Sequence, residues 1–154
     1  MTEDERARPL KCLDIGAGPT ILLLHGYGMK PATYLPMARL LADRARIVIP
    51  DLFALPERWS FEHAVDCLEL TLDDIGVEQV SLLGHSFGGG LELGLACRSP
   101  ARIVECVFSD TLGMHSEFSL AREAVHPIGI ARMATAPALK SFTESWVRHP
   151  IQLA

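Results

Sequence analysis

The segment Leu82-Leu83-Gly84-His85-Ser86-Phe87-Gly88-Gly89-Gly90 constrains this chain more than any other. An apolar run beginning at Val80 leads into a serine bracketed by glycines, and a stretch of helical character starts directly behind it. A chain that passes from strand to helix within one or two residues needs a tight, strained turn. Gly84 and Gly88 keep side chains out of the crowded space around Ser86. The hydroxyl then stands at the tip of a strand, above the sheet edge. The helix behind it brings backbone N–H groups and the positive end of a dipole, both suited to a developing oxyanion. The competing reading is a glycine-rich turn with a bystander serine, as in nucleotide-binding α/β folds. Against it, no G-x-G-x-x-G follows a strand and no G-x-x-x-x-G-K-[ST] occurs.

The rest of the pattern supplies a setting for that turn. Residues 1–9 are charged and end at Pro9, a frayed lead-in. Leu10 to Ile15 reads as a short strand before the Gly16-Ala17-Gly18-Pro19 turn. Thr20 to Leu24 is a continuous apolar run of the kind found in strands covered on both faces. Tyr34, Met37, Ala38 and Leu41 share one face of a helix over about 31–43. Ile47-Val48-Ile49 is a further strand. Ser60 opens a helix whose inner face carries Ala64, Val65, Leu68, Leu72 and Ile75, and Gly76 stops it. Val80–Leu83 is the strand before the serine, the helix behind Ser86 runs to Ser99-Pro100, and Ile103–Ser109 is the fourth main strand. Strands alternating with helices over short connections imply right-handed crossovers and a mostly parallel sheet with helices on both faces. Beyond Thr111 the pattern weakens into helices near 120–134 and 137–148, with no later strand expected.

Composition excludes several classes of function. With 49% hydrophobic and 21% charged residues the chain can bury a core, which sets disorder aside. A net charge of −5 with scattered Lys and Arg leaves no basic stripe for nucleic acid. The acidic N-terminus lacks the features of a secretory signal, and no apolar run reaches the roughly 20 residues needed to span a bilayer. The expectation is a cytoplasmic protein without a membrane partner. Cys12, Cys67, Cys97 and Cys106 form no metal-ligand spacing and read as reduced thiols without chemistry.

Through His25-Gly26, the Gly84–Gly88 turn and the strand–helix order between them, residues 10–112 resemble the α/β-hydrolase superfamily. The resemblance implies one domain over 1–154: a core at 10–112, truncated after the fourth main strand, and the beginning of a helical lid at 113–154. It implies that Ser86 is the nucleophile of an esterase-like hydrolase working through an acyl-enzyme, with a small-molecule ester or similar substrate and no cofactor or metal. The N–H groups of Phe87 and Tyr27 would hold the oxyanion, with His25, Gly26 and Gly28 shaping the loop that carries the second of them. His85 reads as a packing residue and Asp51 as structural, since Leu52-Phe53-Ala54-Leu55 stands where the family usually has glycines.

A serine hydroxyl needs a histidine to take its proton and a carboxylate to orient that histidine. Asp110, at the end of the fourth strand, stands where some family members place the acid; it also reads as a helix cap or loop residue. His115 is nearest in sequence to the pocket rim, and His126 and His149 follow, none in the strand–loop–helix setting of the family's final histidine. The alternative to an active hydrolase is therefore a catalytically incomplete fragment or binding module, completed by a partner chain. A sheet ending at the fourth strand would also expose an edge open to self-association.

Overall fold

The structure is a computed structural model that describes residues 6–55, 60–111 and 130–133. Six strands form one sheet: β1 (Cys12–Ile15), β2 (Thr20–Leu24), β3 (Arg46–Pro50), β4 (Val80–His85), β5 (Ile103–Ser109) and β6 (Ile130–Met133), in the order β1-β3-β2-β4-β5-β6. The pairs β3–β2, β2–β4 and β4–β5 are parallel, whereas β1 and β6 run antiparallel at the two ends. Three α-helices, α1 (Leu35–Leu41), α2 (Phe61–Asp74) and α3 (Phe87–Arg98), make the crossovers.

Strand order and helix placement have one cause. From β2 the chain moves outward to β3, then reverses past β2 to reach β4 and continues to β5. If every crossover is right-handed, reversing direction puts the connecting helix on the other face. Accordingly Ala38, with Met37 and Leu41 of α1, packs on Leu23, Ile47 and Ile49. The opposite faces of the same strands, Leu22, Leu24 and Val48, meet Ala64, Val65, Leu68 and Leu72 of α2 and Leu91 and Leu95 of α3. The continuous apolar runs of β2 and β3 are thus explained by burial on both faces.

Three local expectations are corrected. The helix expected over 31–43 is a 3-10 turn at Pro31–Tyr34 followed by α1, because Pro31 and Pro36 each lack a backbone donor and each sits at the opening of its own short helix. The first strand begins at Cys12 rather than Leu10; Leu10 is buried and its N–H donates to the Thr71 hydroxyl of α2 at 2.8 Å instead of to the sheet. The sheet does not end at the fourth main strand, since β6 pairs antiparallel with Cys106–Ser109 where a helix over 120–134 was expected. The chain thus covers that part of the β5 edge itself. The remainder of the expected lid lies outside the described residues.

The Ser60 hydroxyl accepts from the His63 N–H at 3.1 Å and caps α2. Ser60→Ala is expected to lower stability by about 1 kcal/mol, read as a shift in the urea midpoint. All four cysteines are free, and burial raises the thiol pKa of Cys12 to about 11 and of Cys106 to about 12, which keeps both protonated and unreactive. Among the described residues no helix is long and apolar enough to cross a membrane.

Candidate active site

The reversal of strand order at β2 opens a crevice at the carboxyl ends of β2 and β4, where parallel α/β sheets bind their ligands. Two turns meet there. One follows β2 and begins His25-Gly26-Tyr27-Gly28; the other follows β4 and carries Ser86.

Ser86 has φ +51° and ψ −112°, a backbone conformation that costs a residue with a side chain about 1–3 kcal/mol and persists only when its surroundings over-determine it. Those surroundings are visible. The Ser86 N–H donates to the Ser109 carbonyl at the end of β5 at 3.0 Å, and the Ser86 carbonyl accepts from the Gly89 N–H at 3.1 Å. A Cβ on Gly88 would run into the Leu24 carbonyl and lie 2.7 Å from the His25 oxygen, so α3 approaches the end of β2 as only glycine permits. A Cβ on Gly84 would lie 2.6 Å from Gly89 Cα. The turn is therefore clamped between β2, β5 and the first turn of its own helix.

The β2 turn lies directly against it. A Cβ on Gly26 would meet the His85 ring at 3.0 Å and Ser86 Cβ at 3.4 Å. His25 is fully buried; its Nε2 accepts from the Leu52 N–H at 3.1 Å, which leaves the ring proton on Nδ1, 3.1 Å from the Gly26 carbonyl. Its imidazole joins the loops after β2 and β3 and does not reach into the crevice. Tyr27 is 76% exposed at the rim, and Phe87 opens α3 with its N–H at the positive end of the helix. Gly28 has φ +76° in the same loop.

Asp110 follows Ser109 at the same sheet edge, exposed and with φ +50°. This places its backbone one residue from the carbonyl that holds the Ser86 N–H. His115, His126 and His149 lie outside the described residues. Asp51 accepts from the Phe53 N–H at 3.1 Å and caps the 3-10 turn Leu52–Ala54.

Two features of the site escaped the sequence reading. Phe53 stacks on His25 with ring centres 5.6 Å apart and meets Tyr27 edge-on at 5.5 Å; Tyr27 in turn meets Phe87 at 6.3 Å. These rings give the crevice an apolar rim. The available signal was an aromatic residue in a loop at the carboxyl end of a strand, and the sequence reading took that loop only as a departure from the family's glycines. A cavity of about 620 Å³, lined in part by Gly28, Met29, Asp51 and Phe53, lies beside this rim toward β1. The second feature is Glu92, in the second turn of α3 and fully buried. Desolvation pushes its carboxyl up to about 8, against the opposing influence of the Val107 and Gly84 N–H groups and the Cys106 thiol. Among the described residues no group of three or more His, Cys, Asp or Glu is placed to hold a metal ion.

A strained serine between strand and helix, at the switch point of a parallel sheet and faced by a second loop, defines an α/β protein of the hydrolase type. The α/β-hydrolase-fold family model matches residues 19–130, and the chain belongs to this family. Over 123 residues it is 32% identical to a 2-hydroxymuconate semialdehyde hydrolase of Pseudomonas sp. (strain CF600), covering 73% of this chain and 43% of that protein. A 2-hydroxy-6-oxo-2,4-heptadienoate hydrolase of Pseudomonas putida is 31% identical over 122 residues, covering 73% of this chain and 44% of that protein. Among solved structures, a meta-cleavage product hydrolase from Pseudomonas fluorescens IP01 superposes with a TM-score of 0.64 at 26% identity, covering 74% of this chain and 46% of that one. A marine microorganism esterase superposes with a TM-score of 0.66 at 20% identity over 76% of this chain and 48% of that one, a likeness of fold. The chain thus spans less than half the length of these relatives.

Proposed function

We propose that this chain carries the nucleophile half of a serine hydrolase acting on esters or similarly activated carbonyl compounds through an acyl-Ser86 intermediate. The observation that carries the reading is Ser86 itself, held at φ +51° where the sheet changes strand order. In the proposed reaction a histidine base takes the hydroxyl proton as Ser86 Oγ attacks the substrate carbonyl carbon. The resulting oxyanion is received by the Phe87 and Tyr27 N–H groups. Collapse expels the leaving group, which takes up the proton, and water then releases the acid and frees Ser86. Asp110 is the proposed orienting acid and His115 the first candidate base. The rim of exposed Tyr27 and Phe53 with half-buried Phe87 favours a substrate with an apolar or aromatic flank. The names of the two Pseudomonas hydrolases make an unsaturated oxo-acid one substrate to try.

A second reading, a chain that lacks an effective base until further polypeptide supplies it, is favoured by its span of 43–44% of those relatives. Labelling with a fluorophosphonate probe, with the adduct located by mass spectrometry, separates the two. A positioned base contributes about 10²–10⁴-fold. Labelling at Ser86 at least about 100-fold faster than at any other serine, and abolished in Ser86→Ala, is the result expected of the complete machinery. A folded sample that does not label would establish the second reading.

A further inference from the structure

Glu92 lies six positions after Ser86, on the helix that Ser86 opens, and it is the only carboxyl group among the described residues that is fully buried. Its Oε1 accepts from the Val107 N–H of β5 at 3.0 Å. Its Oε2 is buried with no hydrogen bond of good geometry, under the influence of the Gly84 N–H and the Cys106 thiol, and occupies the space that a Cβ on Gly84 would need. Gly84 is the residue at which β4 begins to turn toward Ser86, and it is paired with Phe108 of β5. One side chain of α3 therefore touches the turn on one side and the neighbouring strand on the other. A leucine or alanine there would fill space without the cost of burying a carboxyl.

We propose that Glu92 is a positioning residue for Ser86: its carboxyl, set between Gly84 and the Val107 N–H, holds the start of the strained turn against β5. The proposal rests on the reading of Ser86 as the reacting group. The neutral acid suits this place, because a carboxylate would leave a negative charge without a cation in an apolar interior. The surrounding titratable groups leave the proton on Glu92. From β5 the neighbour is Cys106, held neutral by a pKa of about 12, while Glu105 alternates to the other face of that strand. The one ionisable residue of β4 is His85, whose ring turns to Gly26. On α3, Cys97 is a thiol and Arg98 is engaged by Asp66 and Glu69 of α2. Ionisation of Glu92 near pH 8 is therefore a local event. The charge, which the apolar interior does not solvate, is expected to rearrange the Gly84–Glu92–Val107 contact and move Ser86 with it, although the Val107 and Gly84 N–H groups and the Cys106 thiol favour the carboxylate.

Two measurements on the full chain test this. In the first, the rate of fluorophosphonate labelling at Ser86 is followed against pH in the wild type, Glu92→Gln and Glu92→Leu. Glu92→Gln keeps an oxygen for the Val107 N–H and cannot ionise. It is expected to match the wild type near neutral pH and to hold its rate at about pH 9, where the wild type falls roughly tenfold as its neutral fraction falls. Glu92→Leu, which fills the space without an acceptor, is expected to be slow throughout. Identical pH profiles for wild type and Glu92→Gln overturn the proposal. The second measurement uses wild type alone and needs neither activity nor a foldable variant: the amide NMR signals of Ser86 and Val107 are followed from pH 5 to about pH 10. The expected result is that both move together with a midpoint of about 8. A Ser86 amide that does not follow Val107 overturns the proposal. A chain that shows the coupled titration yet never labels lacks an effective base, as in the second reading of its function, and leaves Glu92 as the residue that holds the turn.

Discussion

Gly88→Ala is expected to destabilise the protein by about 3 kcal/mol or more, a large fraction of the roughly 5–15 kcal/mol that holds a domain of this kind together. The new methyl group would collide with the Leu24 carbonyl oxygen and stand 2.5 Å from Leu24 carbon and 2.7 Å from the His25 oxygen. All three are backbone atoms at the end of a central strand, and β2 is paired on both sides, with β3 and β4. They cannot yield as the end of a flexible side chain would. Either α3 lifts from the sheet or β2 shifts, and both movements carry Ser86 with them. Gly28→Ala serves as the comparison. That residue has φ +76° but nothing within 4 Å of a built Cβ, so its cost is conformational only, about 1 kcal/mol. Guanidinium titration of both variants reads the difference directly. Equal losses would show that the close approach of α3 to β2 is wrong.

Phe108→Ala is expected to cost about 3–5 kcal/mol. Phe108 is 1% exposed and belongs to the largest apolar cluster, where β5 meets the residues contributed by α2 and α3. It also pairs with Gly84, a position without a side chain, at the strand end that leads into the Ser86 turn. Rigid strands on either side prevent the cavity from collapsing, which puts the loss toward the upper end for aromatic truncation. Val104→Ala on the same strand, where the side chain is 62% exposed, is expected to change stability by no more than about 0.5 kcal/mol. A thermal melt of the two variants would expose any error in the burial assigned to β5. A Phe108→Ala loss as small as that of Val104→Ala would contradict it.

The parts of the site that were legible in the sequence share a scale. The Ser86 turn is written in five consecutive residues, and its demand for glycine at 84 and 88 arises from atoms on adjoining elements that any strand-to-helix reversal brings close. Ser60 as a cap, Gly76 as a stop and the inner face of α2 are likewise local. Glu92 was not legible. An acid at the sixth position of a helix reads as solvent-facing until the helix is seen to be covered on nearly every side. The one cue was that it is the only acidic residue between Phe87 and Arg98. Phe53 was missed for the related reason that loop residues carry no periodicity. Asp51 was assigned its structural role correctly because an Asp two residues before a free N–H is itself a local motif.

The identity of the main strands and of the helices at Ser60 and behind Ser86, the parallel alternation and the strained serine turn were determined by the sequence alone, because hydrophobic period and turn chemistry act over a few residues. Only the tertiary structure decided the order β1-β3-β2-β4-β5-β6, the antiparallel ends and the segment at Ile130–Met133 that lies along β5. It alone brought Gly26 against Ser86 across 60 positions of sequence and set a buried acid beneath the turn. These contacts depend on which edge of the sheet each strand joins. That choice is made by the burial of two whole faces at once, and no local stretch of sequence encodes it.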